Sequence, residues 1–182
     1  LQDMVRRNFT ILMNVAAFYE MFAGSLPGNV PLPGNEHSAH VLDRWILARL
    51  NKLVAETTSR LENYVITETV RDLGAFIDDL STWYVRRSRD RMKGEDAADR
   101  QASIATLRES LLALSKLMAP FAPFLAETLY KQVGGNLESV HLEDWPVANQ
   151  ALIDEKVLDE MGRTRSIVSK ALERRSDAGI NV

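Results

Sequence analysis

The sequence predicts an all-α fold, an up-and-down bundle of about five to six helices. Apolar residues recur at helical spacing along most of the chain, alternating strand patterns are scarce, and glycines and prolines cluster between the periodic segments. Antiparallel packing of long helices with short connections gives such a bundle. We expect residues 1–182 to form a single helical domain, because this length suits one ordinary domain.

The first two helices are predicted at residues 3–23 and 40–62, separated by a loop at 25–35 that contains three prolines. Apolar residues mark one side of the first helix at Val5, Leu12, Val15, Tyr19 and Phe22. The buried side of the second helix is marked by Leu42, Trp45, Ile46, Leu50, Leu53, Val54 and Leu61. Steps of three and four residues place each set on one face of its helix.

The third helix, predicted at 66–92, has the most regular apolar stripe of the chain. Its members are Ile66, Val70, Leu73, Ile77, Leu80 and Tyr84. Gly74 lies inside the helix, where glycine costs about 1 kcal/mol against alanine, and close packing against another helix is the simple explanation. Gly94 is expected to end this helix.

A fourth helix follows, with Asp96 as its predicted N-cap. Its buried side is marked by Ile104, Leu107, Leu111, Leu114 and Met118. Two prolines, Pro120 and Pro123, break the pattern and open a fifth helix at roughly 121–133.

Residues 136–152 are predicted to be an irregular connection before the last helix. That sixth helix is expected at 153–177, with Gly179 as the residue that follows its C-cap. The sequence begins at Leu1 within a helical pattern and stops at Val182 without a closing signal, so we expect both ends to be cuts within a longer chain.

Composition excludes several classes of protein. The chain has no cysteine, which excludes a disulfide framework and a thiolate zinc site. No apolar run is long enough for a membrane span. The net charge of −3 differs from that of a strongly basic nucleic-acid binder, so any contact with RNA must depend on local patches.

No constellation in the sequence argues for a catalytic or metal site in this chain. The three histidines, His37, His40 and His141, lack metal-ligand spacing, and the adjacent carboxylates Asp78 and Asp79 do not face each other on a helix. A phosphate-cradling glycine loop is also missing. We therefore expect no catalytic residue, no metal ligand and no cofactor within these residues.

The most informative feature is a basic run at the end of the third helix. Its members are Arg86, Arg87, Arg89, Arg91 and Lys93, against the single acid Asp90. At about 100° per residue, Arg87 and Arg91 continue the buried stripe, whereas the other three lie on the opposite face. Such a helix end suits a phosphate backbone. Trp83, at the edge of the stripe, could stack on a base, although a tryptophan there is commonly part of the core.

A second basic group closes the last helix and includes Arg174 and Arg175. Acids early and bases late in a helix also complement its macrodipole. Charge pattern alone therefore leaves RNA binding and an ordinary solvated helix surface open.

Five segments resemble the anticodon-binding domains of class Ia aminoacyl-tRNA synthetases, in the same order along the chain. They are LDRWIL at 42–47, IDDLSTWYVRRSRDR at 77–91, LSKLMAPFAPFLAETLY at 114–130, SVHLEDWP at 139–146 and RSDAGINV at 175–182. The resemblance covers roughly residues 40–182. The WYVRRSR stretch is similar to isoleucyl-tRNA synthetases rather than to their valine and leucine relatives.

The resemblance implies that the domain binds the anticodon stem and loop of isoleucine tRNA in a cytoplasmic enzyme that uses ATP to join isoleucine to that tRNA. ATP and zinc would be bound in other regions of that enzyme, and its remaining domains would be partners of this one. By the same resemblance, the RNA-binding residues are Arg86, Arg87, Arg89, Arg91, Trp83, Lys93, Arg174 and Arg175. Two alternatives remain open: the domain of a valyl- or leucyl-type synthetase, and a helical protein–protein interaction module.

Overall fold

The structure, a computed structural model, describes residues 2–24 and 39–180, with side chains from residue 8 onward. The helices are α1 (Gln2–Ala23), α2 (Val41–Glu62), α3 (Ile66–Asp78), a π-helical segment (Asp79–Val85), α4 (Arg86–Lys93), α5 (Ala97–Met118), α6 (Pro123–Gln132) and α7 (Glu155–Asp177). These two ranges contain no strand, which confirms the all-α prediction. The predicted loop at 25–35 lies outside the described residues.

The predicted third helix is a single long helix made of α3, the π-helical segment and α4. In the π-helical segment a backbone hydrogen bond spans five residues instead of the four of an α-helix. The N–H of Arg86, for example, donates to the carbonyl oxygen of Ser81. Apolar periodicity did not predict this change, because a π turn adds a residue without interrupting the helix.

The core lies where α2, the long helix and α5 meet, with α1 and α6 packed around them. The predicted stripe of α5 is buried, and so are the stripe residues of the long helix from Leu73 to Tyr84. The predicted stripe of α2 is buried except at its ends, where Leu42 and Leu61 are only partly buried. The prediction was wrong for Ile66 and Val70, whose side chains are 53% and 43% exposed. Both residues lie in the first turns of α3, shortly after the end of α2 at Glu62.

Three local predictions are confirmed. A Cβ at Gly74 would come within 2.7 Å of the Asn8 side-chain amide, so glycine there permits the close approach of α1 and α3. Asp96 caps α5 by accepting hydrogen bonds from the backbone of Ala98 and Asp99. Gly179 follows α7 with a φ of +68°, a left-handed conformation that favours glycine.

The connection at 136–152 contains two short 3-10 turns, Val140–Leu142 and Gln150–Leu152, and it is fixed to α2 by two hydrogen bonds. The Trp145 indole N–H donates to the Thr58 hydroxyl at 2.8 Å, and the Asn149 N–H donates to the Asn51 side chain at 2.8 Å. These bonds hold the start of α7 against α2, so that α7 crosses over that helix.

Helix α7 is attached mainly through its first half. Its N-cap, Asp154, accepts from the Val157 N–H and pairs with Arg44 at 2.7 Å. Of the α7 side chains only Val157 is buried, and residues 169–177 are all exposed. Within the described ranges, no helix combines the length and the apolar character needed to cross a lipid bilayer.

Candidate nucleic-acid interface

The basic residues of α4 point to different sides of the helix. Arg86, Arg89 and Lys93 are exposed and fall within an arc of about 60° at 100° per residue; we call these three residues the outer face of α4. Arg91 lies about 140° or more away from each of them. The sequence placed Arg86, Arg89 and Lys93 together and Arg91 on the core side, and the helix follows that arrangement.

The outer face of α4 presents three basic side chains that are not held by ion pairs within the domain. Among the described residues, no ion pair within 4.0 Å involves Arg86, Arg89 or Lys93, although the exposed Asp90 lies on the same helix. The Arg89 guanidinium lies 5.6 Å from the centre of the Phe18 ring of α1, a cation–π contact that leaves its hydrogen-bond donors available. Donors of this kind suit phosphate oxygens.

Arg91 is occupied by protein carboxylates. Its guanidinium makes a two-pronged contact with Asp43, at 2.9 and 2.8 Å, and also binds Asp99 at 2.7 Å. The Arg91 side chain is 11% exposed and Asp43 is fully buried. Although burial disfavours its charged form, the hydrogen bonds that Arg91 donates to both carboxylates raise its pKa. Arg91 therefore ties α4 to α2 and α5, and we leave it out of the interface.

Tyr84 completes this buried network. Its hydroxyl lies 2.7 Å from Asp43 Oδ1 and 2.9 Å from the Ser103 carbonyl oxygen, to either of which it can donate its proton. Burial, together with the Asp43 charge, raises the pKa of Tyr84 well above its ordinary value, which keeps the hydroxyl protonated as a donor. The network fixes how α4 is turned relative to the core.

Two arginine guanidiniums lie over the Trp83 ring at the junction of the long helix and α7. The Arg87 guanidinium is 4.3 Å from the indole centre and the Arg165 guanidinium is 5.3 Å from it. Trp83 is partly buried and packs against the core. Arg87, although exposed, is thus held near Trp83 rather than on the outer face.

A groove of about 450 Å³ opens beside Trp83, and we call it the α7 groove. It is lined by Trp83, Arg165, Ser166, Val168, Ser169 and Leu172. Pockets of this size hold small molecules or single chemical groups of larger ones. An aromatic face, hydroxyls and a guanidinium in one groove offer stacking and hydrogen bonding together.

Sequence reasoning missed Arg165 as a residue of this region. Its guanidinium pairs with Asp79 at 2.6 Å and lies 5.8 Å from the Trp45 ring as well as near Trp83. In the sequence it is one of several basic residues of the last helix. Nothing in helical periodicity pairs it with a carboxylate 86 residues earlier.

Arg174 and Arg175 are exposed near the end of α7. They lie about 14 Å further along the helix than Arg165, at 1.5 Å per residue. The structure therefore does not bring them into the outer face of α4, and they form a separate basic end. Among the described side chains, no three residues with metal-binding groups are clustered as a metal site would require.

Comparison with known proteins places this geometry in a family. The family described as "Anticodon-binding domain of tRNA ligase" matches residues 43–182. The chain is 40% identical to the isoleucine–tRNA ligase of Thermus thermophilus over 98% of its length, and 40% identical to that of Deinococcus radiodurans over 86%. It is 39% identical to the isoleucine–tRNA ligase of Dehalococcoides mccartyi over 99% of its length.

The chain spans 18%, 15% and 18% of those three relatives, so it corresponds to one part of a much longer protein in each of them. Among solved structures, a LeuRS of Agrobacterium radiobacter K84 in a ternary complex with tRNA and LeuAMS has a similar fold, with a TM-score of 0.58 and 19% identity. That match covers 82% of this chain and 17% of the other. The chain belongs to the family of anticodon-binding domains of tRNA ligases.

Proposed function

We propose that this chain binds the anticodon stem and loop of isoleucine tRNA, with the outer face of α4 against the RNA backbone. The observation that carries the proposal is the grouping of Arg86, Arg89 and Lys93 on one exposed face without carboxylate partners among the described residues. In a chain of net charge −3, such a local group can still attract phosphates, because screening restricts electrostatic attraction to about 10 Å.

The relatives support isoleucine tRNA over valine or leucine tRNA, since the three described above are isoleucine–tRNA ligases at 39–40% identity. Arg87 and Trp83 extend the interface towards the α7 groove. Arg174 and Arg175 provide a second, weaker contact on the end of α7. The interface is an RNA-binding surface and takes no part in bond making.

The longer protein would use ATP to join isoleucine to the acceptor end of the tRNA, far from this surface. In that arrangement, ATP and zinc are bound by other domains, which are the protein partners of this one, and the enzyme works in the cytoplasm. The role of this domain is to hold the tRNA in register, so that its binding energy orients the acceptor end for a reaction elsewhere.

The proposal is tested by replacing two residues of the outer face, Arg86→Ala with Arg89→Ala. Each lost phosphate contact reduces the number of counterions released, so the slope of log affinity against log salt concentration should become less steep by about 1.4 to 1.8. Affinity for isoleucine tRNA should fall at low salt. Binding is measured by fluorescence anisotropy of labelled tRNA across a salt series.

Arg71→Ala with Lys131→Ala is the matched control, because it removes the same charge from exposed residues outside this face. Arg71 lies about 20 Å from Arg86 along the long helix. If both double variants lower affinity and slope equally, the outer face is not the interface. If the unchanged chain binds isoleucine tRNA with little dependence on salt, the phosphate-contact proposal fails as a whole.

A further inference from the structure

Asp79, in the π-helical segment, is a buried carboxylate held by two arginines from different helices. Its side chain is 8% exposed, its Oδ2 accepts from Arg49 of α2 at 3.2 Å, and its Oδ1 pairs with Arg165 of α7 at 2.6 Å. A buried charge is costly unless it is paired. The two arginines therefore satisfy Asp79 jointly, and one of them ties α7 to the long helix.

Arg165 stands at the end of the attached part of α7. Upstream of it, Leu158 and Met161 pack against the core, whereas beyond it the side chains of 169–177 are all exposed. Of the ion pairs described between other helices and α7 or its N-cap, the one with Asp79 lies furthest along α7. Arg165 also lines the α7 groove together with Trp83, so this pair joins α7 to the long helix at the groove.

The chemistry of the α7 groove fits one flat, partly polar group next to a phosphate. The Trp83 indole offers an aromatic face, and Ser166 and Ser169 offer hydroxyls that both donate and accept hydrogen bonds. Arg86 follows Trp83 by three residues, so a phosphate on the outer face is about one helical turn from the groove. An unpaired nucleobase has these properties, and a paired base does not expose its face.

We propose that Arg165 is a positioning residue: its ion pair with Asp79 holds α7 beside Trp83 and so preforms the α7 groove for one unpaired nucleobase of the bound RNA. This inference rests on the proposed function. Arg165 acts through the placement of Trp83 and α7, and preformation matters because a groove that must be ordered on binding gives weaker affinity.

The test compares Arg165→Met with Arg163→Met, a control that removes the same charge two residues away. Arg163 is exposed, and its ion pair among the described residues is with Asp159 of its own helix. Two RNAs are used: the anticodon stem–loop of isoleucine tRNA, and a blunt duplex of equal length without unpaired bases. The duplex offers phosphates to the outer face of α4 but no unpaired base to the α7 groove. Its affinity therefore tests phosphate binding separately from the proposed role of Arg165.

Arg165→Met should lower affinity for the stem–loop about tenfold, since base stacking on an aromatic side chain is lost. Affinity for the duplex should stay within about twofold, because phosphate contacts remain. The control should leave both affinities within the same limit. Arg165→Lys should restore most of the stem–loop affinity, because lysine can still pair with Asp79. Asp79→Asn should behave like Arg165→Met.

A second readout follows the base itself. With 2-aminopurine at single loop positions, one position should lose fluorescence on binding to the unchanged chain, through stacking on Trp83, and should keep it on binding to Arg165→Met. Equal losses of affinity for the two RNAs would mean that Arg165 only supports the fold, and no loss for either would remove it from the interface. If the unchanged chain binds neither RNA, both proposals fail. If it binds both RNAs and Arg165→Met binds them equally well, the Arg165 proposal fails and the outer face of α4 remains the proposed interface.

Discussion

The outer face and the core-facing side of α4 both carry arginines, but the surroundings of these arginines differ. Arg89, on the outer face, is exposed and touches only the ring of Phe18 among the contacts described above. Arg91, two residues later, is enclosed by Asp43 and Asp99. The sequence offers both as members of one arginine run.

The difference shows that the position of an arginine relative to the core decides whether its charge serves stability or binding. The two carboxylates occupy most of the N–H donors of the Arg91 guanidinium, and to release it for a phosphate would strand a buried Asp43. A guanidinium over an aromatic ring keeps its donors.

The largest effect is expected from removing Arg91. Arg91→Met leaves the fully buried Asp43 without its counterion, which should lower the free energy of unfolding by about 3–5 kcal/mol. The matched Arg89→Met should change it by no more than about 0.5 kcal/mol. Urea unfolding followed by circular dichroism measures both. Similar losses in the two variants would contradict the division between the two sides of the helix.

A smaller effect is expected from the tyrosine beneath the same network. Tyr84→Phe removes the hydroxyl that lies 2.7 Å from Asp43 Oδ1 but leaves Arg91 in place. The loss of one buried hydrogen bond to a charged group should cost about 1.5–3 kcal/mol. RNA affinity should not change, because Tyr84 is buried. Thermal unfolding and tRNA binding of the same preparation check both parts, and weakened binding in a stable variant would show that the network reaches the interface.

The smallest effect concerns pH. The hydrogen bonds from Arg91 lower the pKa of Asp99 in the folded state. A carboxyl whose folded pKa is lowered adds stability above its unfolded pKa, about 3.9, and this contribution disappears as the pH falls through the folded pKa. Asp99→Asn should therefore reduce the loss of stability below about pH 4.

The pH-dependent contribution of Asp99 to the free energy of unfolding should be less than about 1 kcal/mol, because its side chain is 34% exposed and solvent screens its ion pair with Arg91. Urea midpoints between pH 3 and pH 7 measure it for the unchanged chain and the variant. An unchanged acid dependence in Asp99→Asn would mean that other carboxylates carry it.

The helices were predictable because each has a one-sided apolar stripe and clear terminal signals. Asp96 and Gly179 marked a helix start and a helix end that the structure confirms. The exposure of Ile66 and Val70 was not predictable, since periodicity identifies a face but does not show how far the neighbouring helix extends.

The site was predictable only in part, because a helix period places residues around one axis and does not identify their partners. The helix period put Arg91 in the buried stripe, but it did not show that Arg91 binds carboxylates from α2 and α5. Arg165 was visible only as one of the basic residues of the last helix, and nothing singled it out, since its partner Asp79 lies on a different helix. Local pattern thus gives direction, whereas ion pairs between distant segments require the tertiary structure.

The π-helical segment has a consequence for how such a domain can diverge. In a regular α-helix an extra residue rotates everything after it by about 100°, whereas the wider turn of a π segment absorbs one extra residue locally. Deleting one residue within Asp79–Val85 would therefore let the segment close to regular α-helix, while the α4 arginines keep roughly their present direction and Arg91 still faces Asp43. A codon gained in a part of the long helix without such a turn would instead re-aim the entire charged surface, a change that point substitutions would need many steps to reproduce.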